Sequence, residues 1–99
     1  MSLLDKVLRA GEGRAVKELE KIVVEHDLYV ISDEVYEHIV FDGRDHISVG
    51  TLPGLFSRSF VISSFGKSFH ATGWKCGYCL APAELTKEFR KVHQFMVYA

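Results

Sequence analysis

Asp33, Ser63, Ser64 and Lys67 stand where a binding site would be expected, each at or just past the end of an apolar run. The run Leu28-Tyr29-Val30-Ile31-Ser32 stops abruptly in Asp33-Glu34, and Ser59-Phe60-Val61-Ile62 stops in Ser63-Ser64. Runs of this length and composition read as buried parallel strands. In α/β sheets, ligands settle beyond the carboxyl ends of such strands. A carboxylate, two hydroxyls and an amine would therefore gather at one edge. Other reactive side chains carry less weight. Cys76-Gly77-Tyr78-Cys79 has the spacing of a metal or redox pair. Structural zinc needs four ligands, however, and there is no second pair. A redox pair sits at a helix N-terminus, whereas this one falls in Lys75–Leu80, which reads as a strand whose residues three apart face opposite sides. Both thiols are expected to be reduced and buried. His26, His38, His46, His70 and His93 show no ligand spacing within one element, so no metal site is expected. His70 follows Lys67 closely enough to border the site. Gly11-Glu12-Gly13 is no phosphate loop, because no strand precedes it. Lys87, Arg90 and Lys91 read as a solvated helix face.

The elements that must position these residues follow from periodicity. Leu3, Leu4, Val7 and Leu8 make a short helical stripe, stopped by Gly11 and Gly13. A second helix is expected from about Arg14 to His26, with Val16, Leu19, Ile22 and Val23 facing inward. After the first strand, Asp42-Gly43 and Pro53-Gly54 are turn signals, with a short strand or helical turn around Glu37–Phe41. Strands at Ser59–Ser64 and Lys75–Leu80 follow. Pro82 then opens a helix that places Leu85, Phe89, Val92 and Met96 on one face. This alternation predicts an α/β layered fold of about three strands with flanking helices.

Composition sets the outer limits. With 99 residues, the chain is one domain at most, and 47% hydrophobic with 25% charged residues is ordinary for a globular protein. A net charge of −1 provides no field for nucleic acid or an anionic membrane. No apolar run approaches the roughly 20 residues that span a bilayer, and residues 1–10 lack the continuous hydrophobicity of a secretory signal. A cytoplasmic protein is expected.

Ile31-Ser32-Asp33-Glu34-Val35-Tyr36, then Ser63-Ser64-Phe65-Gly66-Lys67, then Thr72-Gly73-Trp74-Lys75 together resemble the fold-type I aminotransferases that depend on pyridoxal phosphate. The similarity is to the branch holding kynurenine and methionine aminotransferases, and it extends over about Val16 to Ala99. Lys91-Val92-His93-Gln94 fits the same branch. The resemblance implies that Lys67 is the catalytic residue and forms a Schiff base with the cofactor aldehyde, later moving a proton when freed. It implies that Asp33 pairs with the pyridine nitrogen and that Tyr36 bonds the ring hydroxylate. Ser64 and Lys75 would hold the phosphate. Many members use arginine at the last position. Lysine binds as a point charge rather than a fork, which weakens retention.

The same resemblance implies a three-layer fragment of the large-domain sheet. Residues 15–99 would be a partial cofactor domain, and residues 1–14 a fusion or leader outside the pattern. Leu3 to Arg14 faintly resembles the N-terminus of some bacterial preprotein-translocase ATPases. The chain contains no Asn, so the family's Asn-Pro-Thr-Gly motif is absent. The arginine that grips the substrate carboxylate lies in a part of the family fold that this sequence does not include. The strand leading to the Asn-Pro-Thr-Gly motif is expected between the strands ending at Asp33 and Ser64; without it the two either close up and pair directly or keep open edges, which would drive homo-oligomerisation. The parent reaction would exchange an amino group between a hydrophobic, aromatic or sulfur-containing amino acid and a 2-oxo acid, with the isolated chain inactive. Two alternatives are a structural α/β module without chemistry and a β-lyase of the same fold.

Overall fold

The computed structural model describes residues 3–98, with side chains from Gly13 onward. Helix α1 (Leu3–Glu25) leads to strand β1 (Val30–Asp33), a short helix α2 (Pro53–Phe56) and strand β2 (Ser59–Ser64). A one-turn helix α3 (Phe65–Ser68), strand β3 (Gly77–Leu80) and helix α4 (Ala83–Val97) complete the chain. The fold is α/β, a three-stranded mixed sheet with flanking helices.

α1 runs unbroken through Gly11 and Gly13, where a stop was expected. A glycine costs a helix about 1 kcal/mol, too little to end one flanked by Leu, Lys, Arg, Ala and Glu. The stripe Leu3, Leu4, Val7 and Leu8 lies outside the described side chains. The true stop is at Asp27, whose φ of 49° is left-handed. There the Leu28 amide bonds the Val23 carbonyl at 2.9 Å and the Asp27 amide bonds that of Val24 at 3.2 Å. This pair of bonds is a Schellman cap. Arg58 fixes the cap to the start of β2, donating to Asp27 Oδ1 at 3.0 Å and to the Leu28 carbonyl at 3.2 Å. The cap delays β1, which begins at Val30 rather than Leu28.

β2 is central and occupies the expected residues. β1 pairs with it in parallel, Asp33 opposite Ile62, and β3 pairs antiparallel, Ser64 opposite Gly77 and Ser63 opposite Tyr78. The strands ending at Asp33 and Ser64 are therefore direct neighbours. Of the two arrangements expected, the structure has direct pairing, and β1 and β2 leave no open edges facing each other. Parallel pairing needs a crossover of a dozen or more residues, and the segment between β1 and β2 supplies it. Within that segment Asp42 and Gly43 take φ of 58° and 64°, and the Arg44 amide closes on the Phe41 carbonyl at 3.1 Å. Two positive φ values with this bond make a type I′ turn, which the Asp-Gly pair favours. Pro53 is not a turn residue but the first residue of α2, where its missing N–H costs nothing.

The core is small. Among the described side chains, Val23, Leu55 and Val61 are its buried apolar members, tied by the Ser59 hydroxyl donating to the Leu55 carbonyl at 2.6 Å. Leu19 and Ile22 of α1 are nearly half exposed, so only Val23 of the expected stripe is buried. The molecule is a slab of 55 × 38 × 16 Å. Its accessible surface is 8187 Å², against roughly 5,700 Å² for a compact protein of this mass. Cys76 and Cys79 are free, as expected, but Cys76 is exposed and Cys79 half-buried. They were expected to be buried. β3 is an edge strand in a thin sheet, and little lies over it. Partial burial still pushes the Cys79 thiol up from its ordinary value.

Candidate functional site

The carboxyl ends of β1 and β2 and the start of β3 meet at one edge of the sheet. Asp33 is the last residue of β1 and is exposed, its Oδ1 accepting from the Val35 amide at 3.2 Å. That bond turns the chain. Successive bonds from the Glu37 amide to the Glu34 carbonyl and from the Ile39 amide to the Tyr36 carbonyl continue the turn and carry Tyr36, which is 57% exposed.

Ser64 ends β2 and occupies the N-cap position of α3, its hydroxyl making no capping bond. Lys67, in α3, is exposed and makes no hydrogen bond or ion pair among the described residues. Its neighbour Ser68 has a buried hydroxyl that finds no partner. Lys75 stands two residues before Gly77, which is opposite Ser64. The Phe65 amide bonds the Cys76 carbonyl at 3.2 Å, so the Ser64 and Lys75 segments run side by side. Lys75 has a left-handed φ of 51° at the end of a 3₁₀ turn, Thr72–Trp74, which is why β3 starts at Gly77 and not at Lys75. A non-glycine residue held there is strained, and such strain concentrates at functional sites. Gly77 is required by close approach. A Cβ on it would lie 2.8 Å from the Ser63 carbonyl oxygen and 3.3 Å from Ser64 Cβ. His70 is exposed, also with positive φ, in the loop after α3.

Two carboxylates beneath this edge escaped the sequence reading. Glu34 is 6% exposed. Its carboxylate accepts from the Ser32 hydroxyl at 3.0 Å and the Val49 amide at 2.9 Å, and meets His46 Nε2 at 2.9 Å. Burial alone would raise the Glu34 carboxyl, but the bonds from His46, Ser48, Val49 and Ser32 outweigh it and hold the group below its ordinary value. Glu37 accepts from the Ser63 and Tyr78 hydroxyls, each at 3.0 Å. The available signal was the acidic pair Asp33-Glu34 directly after the first strand-like run. Apart from Ser32, the partners lie 12 to 41 positions away, where no local pattern reaches.

The donor set at the edge comprises a carboxylate, a phenol, a hydroxyl and two amines. It suits a ligand with an anionic group, a ring nitrogen and an aldehyde, with Asp33 Oδ2 and Lys67 Nζ both unengaged among the described residues. Among the described residues no cluster of His, Cys, Asp or Glu could hold a metal ion, and no helix is long and apolar enough to cross a membrane.

Residues 13–99 match the family model described as aminotransferase class I and II. The chain is 51% identical over 81 residues to a methionine aminotransferase of Escherichia coli, covering 82% of this chain and 21% of that protein. It is 46% identical over 91 residues to kynurenine–oxoglutarate transaminase 1 of Mus musculus, covering 89% and 22%. A crystal structure of an Escherichia coli protein identified as a methionine aminotransferase superposes with a TM-score of 0.76 at 51% identity, over 82% of this chain and 21% of that one. The chain spans about a fifth of the length of the curated relatives it matches.

Proposed function

Because the chain belongs to the class I and II aminotransferases, we propose that residues 15–99 form part of the pyridoxal-phosphate domain of a transaminating enzyme, with residues 1–14 outside it. The substrates would be a hydrophobic, aromatic or sulfur-containing amino acid and a 2-oxo acid, a range that takes in the methionine and kynurenine named for two relatives. The observation that supports this reading is the shared edge: Lys67 lies one turn past β2, and β2 pairs in parallel with the strand that ends at Asp33.

Pyridoxal phosphate, when bound, supplies an electron sink for charge developing at the substrate's Cα. Asp33 would hold the ring nitrogen protonated, since a carboxylate beside a cation favours both charged forms. Tyr36 would donate to the ring oxygen. Ser64 and Lys75 would hold the phosphate, one by a hydroxyl bond and the other by charge. Lys67 would anchor the aldehyde and, when released, move the proton at Cα. We further propose that the protein works in the cytoplasm and self-associates. The exposed apolar side chains Ile31, Leu80 and Phe95, 73%, 54% and 90% accessible, support association. Alone, the chain should not transaminate, because substrate alignment accounts for about 7–11 kcal/mol of barrier lowering and the chain spans only about a fifth of the length of its relatives.

The test is labelling with pyridoxal phosphate followed by borohydride reduction and peptide mapping. Lys67 should take the label preferentially, and Lys67→Ala should abolish the preference. Equal labelling of Lys21, Lys75, Lys87 and Lys91 would overturn the reading.

A further inference from the structure

We propose that Glu37 is the positioning residue of this site, its Oε1 clamping together the three segments that carry the candidate cofactor contacts. The inference rests on the cofactor reading above and adds a residue to it. Ser63 and Tyr78 are directly opposite in the antiparallel β2–β3 ladder. Their hydroxyls converge on the same oxygen, Glu37 Oε1, both at 3.0 Å. The Ser63 hydroxyl also lies 3.4 Å from the Glu34 carbonyl, but its one hydrogen goes to the nearer, charged acceptor. Ser63 is 2% exposed, so this bond is sheltered from water. The Glu37 carboxylate is 23% exposed, with His38 Nε2 at 3.8 Å beside it.

Each anchored point lies next to a site residue. Ser63 precedes Ser64 and stands four residues before Lys67. Tyr78 adjoins Gly77, which is opposite Ser64, and stands three residues after Lys75. Glu37 itself closes the turn that carries Asp33 and Tyr36, its amide bonding the Glu34 carbonyl at 3.0 Å. The β1 ladder ends at Asp33 opposite Ile62. Past it, the Glu34 amide bonds the Ile62 carbonyl at 2.7 Å, and the Glu37 side chain is what holds the turn to both β2 and β3. A loss of this clamp would let the Asp33–Tyr36 turn drift from Lys67 without unpairing the strands.

The experiment compares the full chain with Glu37→Ala, Glu37→Gln and Tyr78→Phe. One readout is the ratio of reductive pyridoxal phosphate labelling at Lys67 to that at Lys87. The other is amide hydrogen exchange at Glu37 and Ile39 against Val61 and Cys79. Glu37→Ala should lower the labelling ratio about tenfold, as expected for losing hydrogen bonds to a charged group. It should also speed exchange in the turn while the strand amides stay protected. Glu37→Gln keeps a carbonyl oxygen that accepts both hydroxyls and should stay within about twofold of the parent. Tyr78→Phe keeps the ring that packs on Phe65 at 5.6 Å and should fall between them. Unchanged turn exchange and labelling ratio in Glu37→Ala would overturn the proposal, as would a Glu37→Gln protein as impaired as Glu37→Ala. If the parent shows no preference for Lys67, the cofactor reading fails, and the exchange readout alone then decides whether Glu37 holds the turn.

Discussion

Glu34 at the carboxyl edge is 6% exposed and engaged by Ser32, His46 and Val49 among others, whereas Phe95 on α4 is 90% exposed. The contrast holds across both regions. The edge is closed by polar bonds that the chain makes to itself, through Glu34, Glu37, Ser63 and Tyr78. α4 is amphipathic, yet none of its residues is buried, and its packing on the sheet includes the tilted Phe60–Phe89 ring pair at 6.1 Å. Polar networks need only their own members, while an apolar face gains by being covered. A short chain can therefore pre-form the site edge while leaving its apolar faces wet.

The largest break in that contrast should come from Glu34→Ala. It would leave His46, the Val49 amide and the Ser32 hydroxyl without their acceptor, at a cost of about 3 kcal/mol, read from urea unfolding. The same group makes the edge sensitive to acid. Its carboxyl is held below the ordinary value of 4.5 in the folded chain. The stabilisation is thus complete above the unfolded-state value and is lost as pH falls through the folded-state one. Glu34→Gln should flatten that acid-side loss in a titration of unfolding midpoint against pH. A curve identical to the parent's would show that other carboxylates govern it.

Gly77→Ala tests the edge by sterics. The added Cβ meets backbone at Ser63, which cannot swing away. A cost of about 2 kcal/mol is expected, with faster amide exchange at Phe65. The smallest effect belongs to the other region. Phe95→Ser should change the stability of the dilute chain by less than about 0.5 kcal/mol. A larger loss that grows with protein concentration would mean that association covers this face.

The parts of the fold that sequence pattern reached were those fixed by neighbours in the chain. β2 lies at Ser59–Ser64 as its apolar run indicated, α4 opens after Pro82, and Asp42-Gly43 makes its turn. Partnerships across the sheet were harder. The adjacency of β1 and β2 depends on a register between Val30 and Ser59 that no local pattern records. The same is true of Glu37, whose acidic side chain reads as surface until Ser63 and Tyr78 are brought to it. Cys76 and Cys79 misled for the opposite reason, since thiols are buried only where something lies above their strand. The roles assigned to Asp33, Tyr36, Ser64, Lys67 and Lys75 came from resemblance, and labelling will decide them.

The register of the sheet also sets a sequence of events in time. Ser64 and Gly77, paired in β2–β3, are 13 positions apart, whereas Asp33 and Ile62, paired in β1–β2, are 29 apart. The longer closure costs about 0.7 kcal/mol more in chain entropy. The β2–β3 pair, with α3 and Lys67 in its loop, should therefore nucleate first, and β1 should dock onto it afterwards. A chain emerging from synthesis N-terminus first has to hold Val30–Asp33 unpaired at least until Ser59–Ser64 has appeared. For that interval its first strand waits for a partner.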